Sequence, residues 1–334
     1  MKTLWTIVLG FFLLVSCSSS NNDPLGNWVK KSAFEGRPRS SAVNFVIGNK
    51  AYVGLGYIYD NTTQNGYLKD FWSYDPSTDS WAKIADFPGN GRTAAVSFSV
   101  NGKGYVGTGF DGNNILKDIW EYDPTLNKWA KKDDFIGGAR YKAVGFALNN
   151  YGYIGTGKDD LSSDRNDFYR FDPTSATGNQ WVKVQTIAGD KREGATAFTY
   201  NNKAYVCTGI SNGAYPPAMY EYDPTADTWT AKIALNYDTN WTIIRQNASS
   251  FVVDGKAYVF LGEKSSILST VWEYDFAANT WNAKTDFEGA ARTSLVAFTV
   301  GGKAILATGQ TGSYYLDDVW EFKPFEALNT EDNY

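Results

Sequence analysis

Tryptophan returns at nearly fixed intervals along this chain, and that periodicity limits the fold more than any other feature. Trp28, Trp81, Trp129, Trp181, Trp229 and Trp281 are separated by 53, 48, 52, 48 and 52 residues. A unit of this length cannot bury a core alone and must stack against its neighbours. The order of features within a unit is constant. An arginine opens each one: Arg39, Arg92, Arg140, Arg192, Arg245 and Arg292. Six positions later comes a phenylalanine: Phe45, Phe98, Phe146, Phe198, Phe251 and Phe298. In the second unit an apolar alternating run at 94–100 meets the turn Asn101-Gly102. A second strand enters Gly107-Thr108-Gly109, and a variable loop leads to a third strand at 118–122. Asp123-Pro124 then turns the chain toward Trp129. Short alternating runs punctuated by Asn-Gly and Asp-Pro predict strands and turns, four strands to a unit.

These residues resemble the Kelch repeat, whose blade carries a glycine pair after the second strand, then an aromatic, a Tyr-Asp corner and a Trp. Here the pair is split, as in Gly54/Gly56, Gly107/Gly109 and Gly155/Gly157. The corner recurs as Tyr74-Asp75-Pro76, Tyr122-Asp123-Pro124, Phe171-Asp172-Pro173 and Tyr222-Asp223-Pro224. The resemblance implies an all-β fold: a six-bladed Kelch-type β-propeller with four antiparallel strands per blade. The unit opened by Arg292 lacks its Trp strand, and the N-terminal stretch around Trp28 supplies a spare one. The last blade should therefore be closed by the N-terminal strand, which leaves only short protected edges.

The expected organisation has four parts. Residues 1–16 read as a lipoprotein signal peptide. Residues 17–25 read as the lipidated Cys17 with a flexible linker, residues 26–325 as the propeller, and residues 326–334 as a C-terminal tail. The apolar run at 4–15 is short for a membrane span. It ends in Leu14-Val15-Ser16-Cys17, which resembles a lipobox. Cell envelope, at the outer membrane and held through a lipid anchor, is the location this implies. Cys207, in the apolar run Ala204-Tyr205-Val206-Cys207, is expected to be a core residue.

A formal net charge of −5 argues against nucleic acid as a partner. The chain contains no histidine. Ser-His-Asp and Cys-His catalysis and histidine-bound metals are thereby excluded. Galactose oxidase activity goes with them, although that enzyme also carries Kelch repeats. No metal or other cofactor is expected.

Strand order places the arginines and the variable loops on one face, where function concentrates in such scaffolds. The Kelch resemblance implies ligand or partner binding there. Carried over, it points to Arg39, Arg92, Arg140, Arg192, Arg245 and Arg292 as an anion-binding mouth. The alternative is that each arginine bonds a neighbouring blade's carbonyls or an acidic residue. Tyr57, Tyr59, Tyr215, Gln310 and Tyr314 complete the expected ligand-binding set. A monomeric propeller is expected that binds a glycan, an acidic small molecule or an envelope protein without catalysis. A second reading is a sugar epimerase similar to the periplasmic Kelch-type sialic acid epimerases. Its candidate catalytic groups are Glu193 beside Arg192, or Glu263 beside Arg292. A third is a scaffold in an outer-membrane assembly.

Overall fold

The computed structural model describes residues 24–59 and 66–333. The expected signal peptide, Cys17 and the part of the expected linker before Pro24 lie outside the described residues. Six four-stranded antiparallel sheets form the blades. Blade one comprises Val43–Ile47, Lys50–Gly54, Phe71–Asp75 and Ser80–Lys83. Blade six comprises Val296–Val300, Lys303–Ala307 and Val319–Lys323, and its fourth strand is the N-terminal Asn27–Lys31. Asn27 pairs with Lys323 and Lys31 with Val319 across that closure. The chain ends are thus joined by a strand ladder, as the missing Trp strand predicted.

The repeated residues explain the repeated shape. At each corner the aspartate side chain caps its own turn. Asp75, Asp123, Asp172 and Asp223 each accept a backbone N–H two residues on, at 2.8–2.9 Å. The first-strand phenylalanine stacks on the second-strand tyrosine, at 5.1 Å for Phe45–Tyr52 and 5.3 Å for Phe98–Tyr105. That phenylalanine also reaches the next blade. A Cβ on Gly104 would overlap the Phe45 ring, and one on Gly152 would overlap Phe98. Small residues at the start of the second strand therefore let adjacent blades close, and the apolar clusters lie between sheets.

Two rings of backbone hydrogen bonds encircle the axis. In the first, each blade's split-pair glycine donates to the arginine carbonyl of the next blade. Gly56 donates to Arg92, Gly109 to Arg140, Gly157 to Arg192, Gly209 to Arg245, Gly262 to Arg292 and Gly309 to Arg39, all at 2.8–2.9 Å. The second ring lies two residues past each arginine. Ser41 donates to Ser294, Ser294 to Asn247, Asn247 to Gly194, Gly194 to Lys142, Lys142 to Ala94 and Ala94 back to Ser41. These six residues all hold positive φ, between 50° and 60°. The second glycine of the pair also has positive φ, and a Cβ there would press on the neighbouring backbone, so Gly is required.

The tail is docked. Gly26 donates to the Glu326 carbonyl, and Asn27 Nδ2 reaches Asp332 at 3.0 Å. A short 3₁₀ turn at Thr330–Asp332 packs beside the closing strand.

Candidate functional site: the mouth of the axial channel

The arginine ring is corrected by the structure. All six arginine side chains are fully buried, at 0% exposure, so they present no anion-binding mouth. Four are ion-paired. Arg39 holds Asp70 through two bonds of 2.8 and 2.7 Å, and Arg92 holds Asp118 through bonds of 2.6 and 2.9 Å. Arg140 pairs with Asp167 and Arg292 with Asp318. Each of the six also donates to the carbonyl that precedes its own blade's split-pair glycine. The four paired guanidinium groups lie over Phe34, Phe87, Phe135 and Phe287 at 4.8–5.1 Å. A residue present in every blade proves architectural. It ties the loop before the first strand to the loop after the second.

Burial works to raise the carboxyl pKa of Asp70, Asp118 and Asp318. The arginine's hydrogen bonds and charge, with an indole N–H from Trp72, Trp120 or Trp320, outweigh it, so these carboxyls titrate below the ordinary range. A depressed folded-state pKa gives stability that is complete above the unfolded value of about 4. It is lost as pH falls through the lowered value. Denaturant melts between pH 7 and pH 2.5 should show constant stability down to about pH 4 and a steep fall below it. A flat profile to pH 2.5 would refute this role for the pairs.

Two neighbouring positions in each blade form the channel mouth. The residue after the arginine bridges to the residue after the glycine pair: Ser40 with Tyr57, Thr93 with Phe110, Tyr141 with Lys158, Glu193 with Ile210, Gln246 with Glu263 and Thr293 with Gln310. One side of this ring is aromatic. Tyr57 lies 5.0 Å from Tyr67 and 6.1 Å from Tyr315. Tyr67 lies 5.9 Å from Phe110, and Phe110 lies 6.3 Å from Tyr141. The arc runs over blades six, one, two and three.

The other side is ionic. Lys158 Nζ donates to Glu193 at 2.9 Å, Lys142 Nζ lies 3.5 Å from the same carboxylate, and Asp164 lies 3.7 Å from Lys158. The hydrogen bond to Glu193 raises the Lys158 pKa against the opposing effect of burial, so the amine stays charged. In the next blade Glu263 accepts from Asn247 at 2.9 Å and Gln246 at 3.4 Å. Lys142, Gly194 and Asn247 line the opening itself. Blade one stands opposite blade four in a ring of six, so the tyrosine arc confronts the Glu193 cluster.

Both glutamates predicted as candidates therefore reach the mouth, on consecutive blades. Their predicted arginine partners do not. Arg192 and Arg292 are enclosed in the ring, and the cations beside Glu193 are lysines. Tyr57 belongs to the arc. Gln310 bridges to Thr293 and pairs with Tyr315. Tyr215 donates to the Lys264 carbonyl at 2.9 Å, linking blades four and five at the rim. Tyr59 and Tyr314 stand farther out, 69% and 74% exposed. Cys207 is a core residue at 0% exposure, and burial pushes its thiol up to about 12. Lys142, Tyr67, Phe110, Tyr141, Gln246 and Asn247 were not singled out from sequence. For Lys142 and Asn247 the signal is departure from the repeat at one fixed offset: the second position past the arginine reads Ser, Ala, Lys, Gly, Asn, Ser around the ring.

The fold is a six-bladed β-propeller with four antiparallel strands per blade, and its repeat is similar to the Kelch repeat. Residues 133–289 match the family model described as the KLHDC2/KLHL20/DRC7 Kelch-repeats domain. The solved structure described as "Structure of YjhT" superposes with a TM-score of 0.71 over 86% of this chain and 95% of that one, at 16% identity. That likeness shows the fold. Among curated relatives, N-acetylneuraminate epimerase of Yersinia pestis (strain Pestoides F) is 35% identical over 77 residues, 22% of this chain and 20% of that protein. The enzyme of the same name from Yersinia enterocolitica is 37% identical over 77 residues, 22% of this chain and 20% of its own length. The similarity thus spans about a fifth of the curated relatives' length.

Proposed function

We propose that this chain is a glycan-binding propeller of the cell envelope that takes an acidic sugar unit at the channel mouth. The observation that carries the reading is the pairing of two unlike walls around one opening. Tyrosine faces suit the apolar side of a sugar ring. Lys142 and Lys158 supply charged donors for a carboxylate, already oriented by Glu193. Pockets that fix small polar ligands combine these two kinds of wall. Anchoring through Cys17 would hold the domain at the membrane surface.

A thermal-shift panel of N-acetylneuraminate, neutral N-acetyl sugars and acidic peptides tests this. A ligand that binds only the folded state raises the melting temperature in proportion to its occupancy. A saturable rise is expected with N-acetylneuraminate and a smaller one with neutral sugars, both lost in Tyr57→Ala. No shift with any sugar would reject the glycan reading and favour a protein partner.

The similarity to N-acetylneuraminate epimerases supports a second reading, turnover at the same mouth. Anomer exchange needs the anomeric hydroxyl proton removed and a proton delivered to the ring oxygen as the ring C–O bond opens, with both transfers reversed on reclosure at the other face. Glu193, held between two lysines, is the carboxylate placed to accept and return that proton. Proton NMR of N-acetylneuraminate anomer exchange decides the matter. Acceleration over buffer that disappears in Glu193→Gln establishes turnover, and exchange at the buffer rate rejects it.

A further inference from the structure

Blade four breaks the arginine–carboxylate pattern, and its arginine is left incomplete. The position held by Asp70, Asp118, Asp167 and Asp318 in four blades is Ala218 here. Ile187 replaces the phenylalanine that covers the guanidinium in those four blades. Arg192 nevertheless remains fully buried, at 0% exposure. Its Nη1 donates to the Thr208 and Ala218 carbonyls at 3.1 and 3.0 Å. Its Nε and Nη2 have no hydrogen-bond partner in the protein. Arg140 also has an unpartnered Nε, but both of its terminal nitrogens bond Asp167.

Blade five lost its aspartate too and solved the problem differently. Thr270 stands there, and its hydroxyl accepts from Arg245 Nη2 at 2.7 Å. The carbonyls of Thr242, Ile243, Leu261 and Thr270 take the remaining donors. Arg245 needs no further acceptor. Arg192 does, because an unpaired buried charge with two unmet donors is among the costliest arrangements in a protein. Nε and Nη2 form one edge of the guanidinium, two parallel donors that match a carboxylate or a single halide.

We infer that blade four carries an internal binding site for a small monovalent anion, which occupies the Nε/Nη2 edge of Arg192 and supplies the counter-charge that aspartate supplies from the Nη1/Nη2 end in four other blades. The loop at 188–191 is exposed and leads directly to Arg192, so it is the route in. Burial lowers the Arg192 pKa, and an enclosed anion would oppose that. This site is distinct from the mouth and stands whether or not the mouth binds a sugar.

Thermal melts in sodium formate against sodium gluconate at constant ionic strength test the inference. Formate should raise the melting temperature of the wild type saturably, by about 2–4 °C. Ala218→Ser should retain that response. Ala218→Asp supplies the carboxylate from the chain, as in the four paired blades. It should melt higher than wild type in gluconate and show no formate response. A wild type indifferent to formate, or equal responses in wild type and Ala218→Asp, would overturn the site. So would a formate response that appears only in Asp190→Asn, since Asp190 would then be the native counter-ion. Should Ala218→Asp fail to fold, wild-type crystals soaked in sodium bromide decide. An anomalous peak within hydrogen-bond reach of Arg192 Nε and Nη2 supports the site, and its absence refutes it.

Discussion

Arg92→Ala should destabilise the propeller by about 3–5 kcal/mol, with the value falling near the lower limit. The side chain makes four bonds in one enclosed place: to the Asn90 carbonyl at 3.0 Å, to the Thr108 carbonyl at 3.0 Å, and to both oxygens of Asp118. It also covers the Phe87 ring at 4.9 Å. Truncation strips Asp118 of its counter-charge and leaves the Thr108 carbonyl without this donor. The lower limit applies because Asp118 keeps 22% of its side chain in contact with water, so part of the uncompensated charge is screened. Arg92→Ala/Asp118→Ala should cost less than Arg92→Ala alone, because no orphaned charge remains. Arg92→Lys should not rescue, since an ammonium cannot span two carboxylate oxygens and a carbonyl in a fork. Urea melts of the four proteins measure this. A loss below about 0.5 kcal/mol for Arg92→Ala, the range of an ordinary surface change, would show that the arginines are not structural.

Removal of the N-terminal strand should have the larger effect. Trp28 is fully buried and packs against Phe260, Phe287 and Phe322 at 4.5–5.8 Å. Trp28→Ala alone should cost about 3–5 kcal/mol from lost burial and the cavity left behind. Deletion through Lys31 goes further. It strips the ladder from Val319–Lys323 and opens a long sheet edge to pairing with other chains. The tail contacts to Asn27 are lost as well. The truncated chain should aggregate or melt far below the intact one. An unchanged melting temperature would mean that the ring does not depend on this strand.

The fold was readable because each blade states it again. The Asp-Pro corner, the split glycine pair and the Trp strand are local signals, and their recurrence fixed the number of blades. The unpaired sixth unit even revealed the closure. Site residues were readable only where a side chain departs from the repeat in an obvious loop, as with Glu193, Glu263, Tyr57 and Gln310. The arginines misled the ligand reading because periodicity marks what the architecture needs. Their carboxylate partners lie 26 to 31 positions onward, beyond any local pattern. Yet the chain carries an internal clue. In blades four and five the aspartate and the covering phenylalanine disappear together, leaving Ile187 with Ala218 and Leu235 with Thr270. Lys142 and Asn247 depart from the repeat at one offset, but their partners could not be read from it. Lys142 meets Glu193 across the joint between blades three and four, and Asn247 meets Glu263 sixteen residues on within blade five, so neither contact shows in a local pattern.

The central claim is that the mouth, and not the arginine ring, carries binding. Calorimetric titration of N-acetylneuraminate into the wild type and Lys158→Ala, with both melting temperatures measured, tests it most directly. Loss of one charged hydrogen bond is worth about 1.5–3 kcal/mol, so affinity should fall by about tenfold or more in a protein whose melting temperature, lowered by loss of the ion pairs to Glu193 and Asp164, stays above the temperature of the titration. Equal affinity in the two proteins, or no heat of binding in either, would contradict the account.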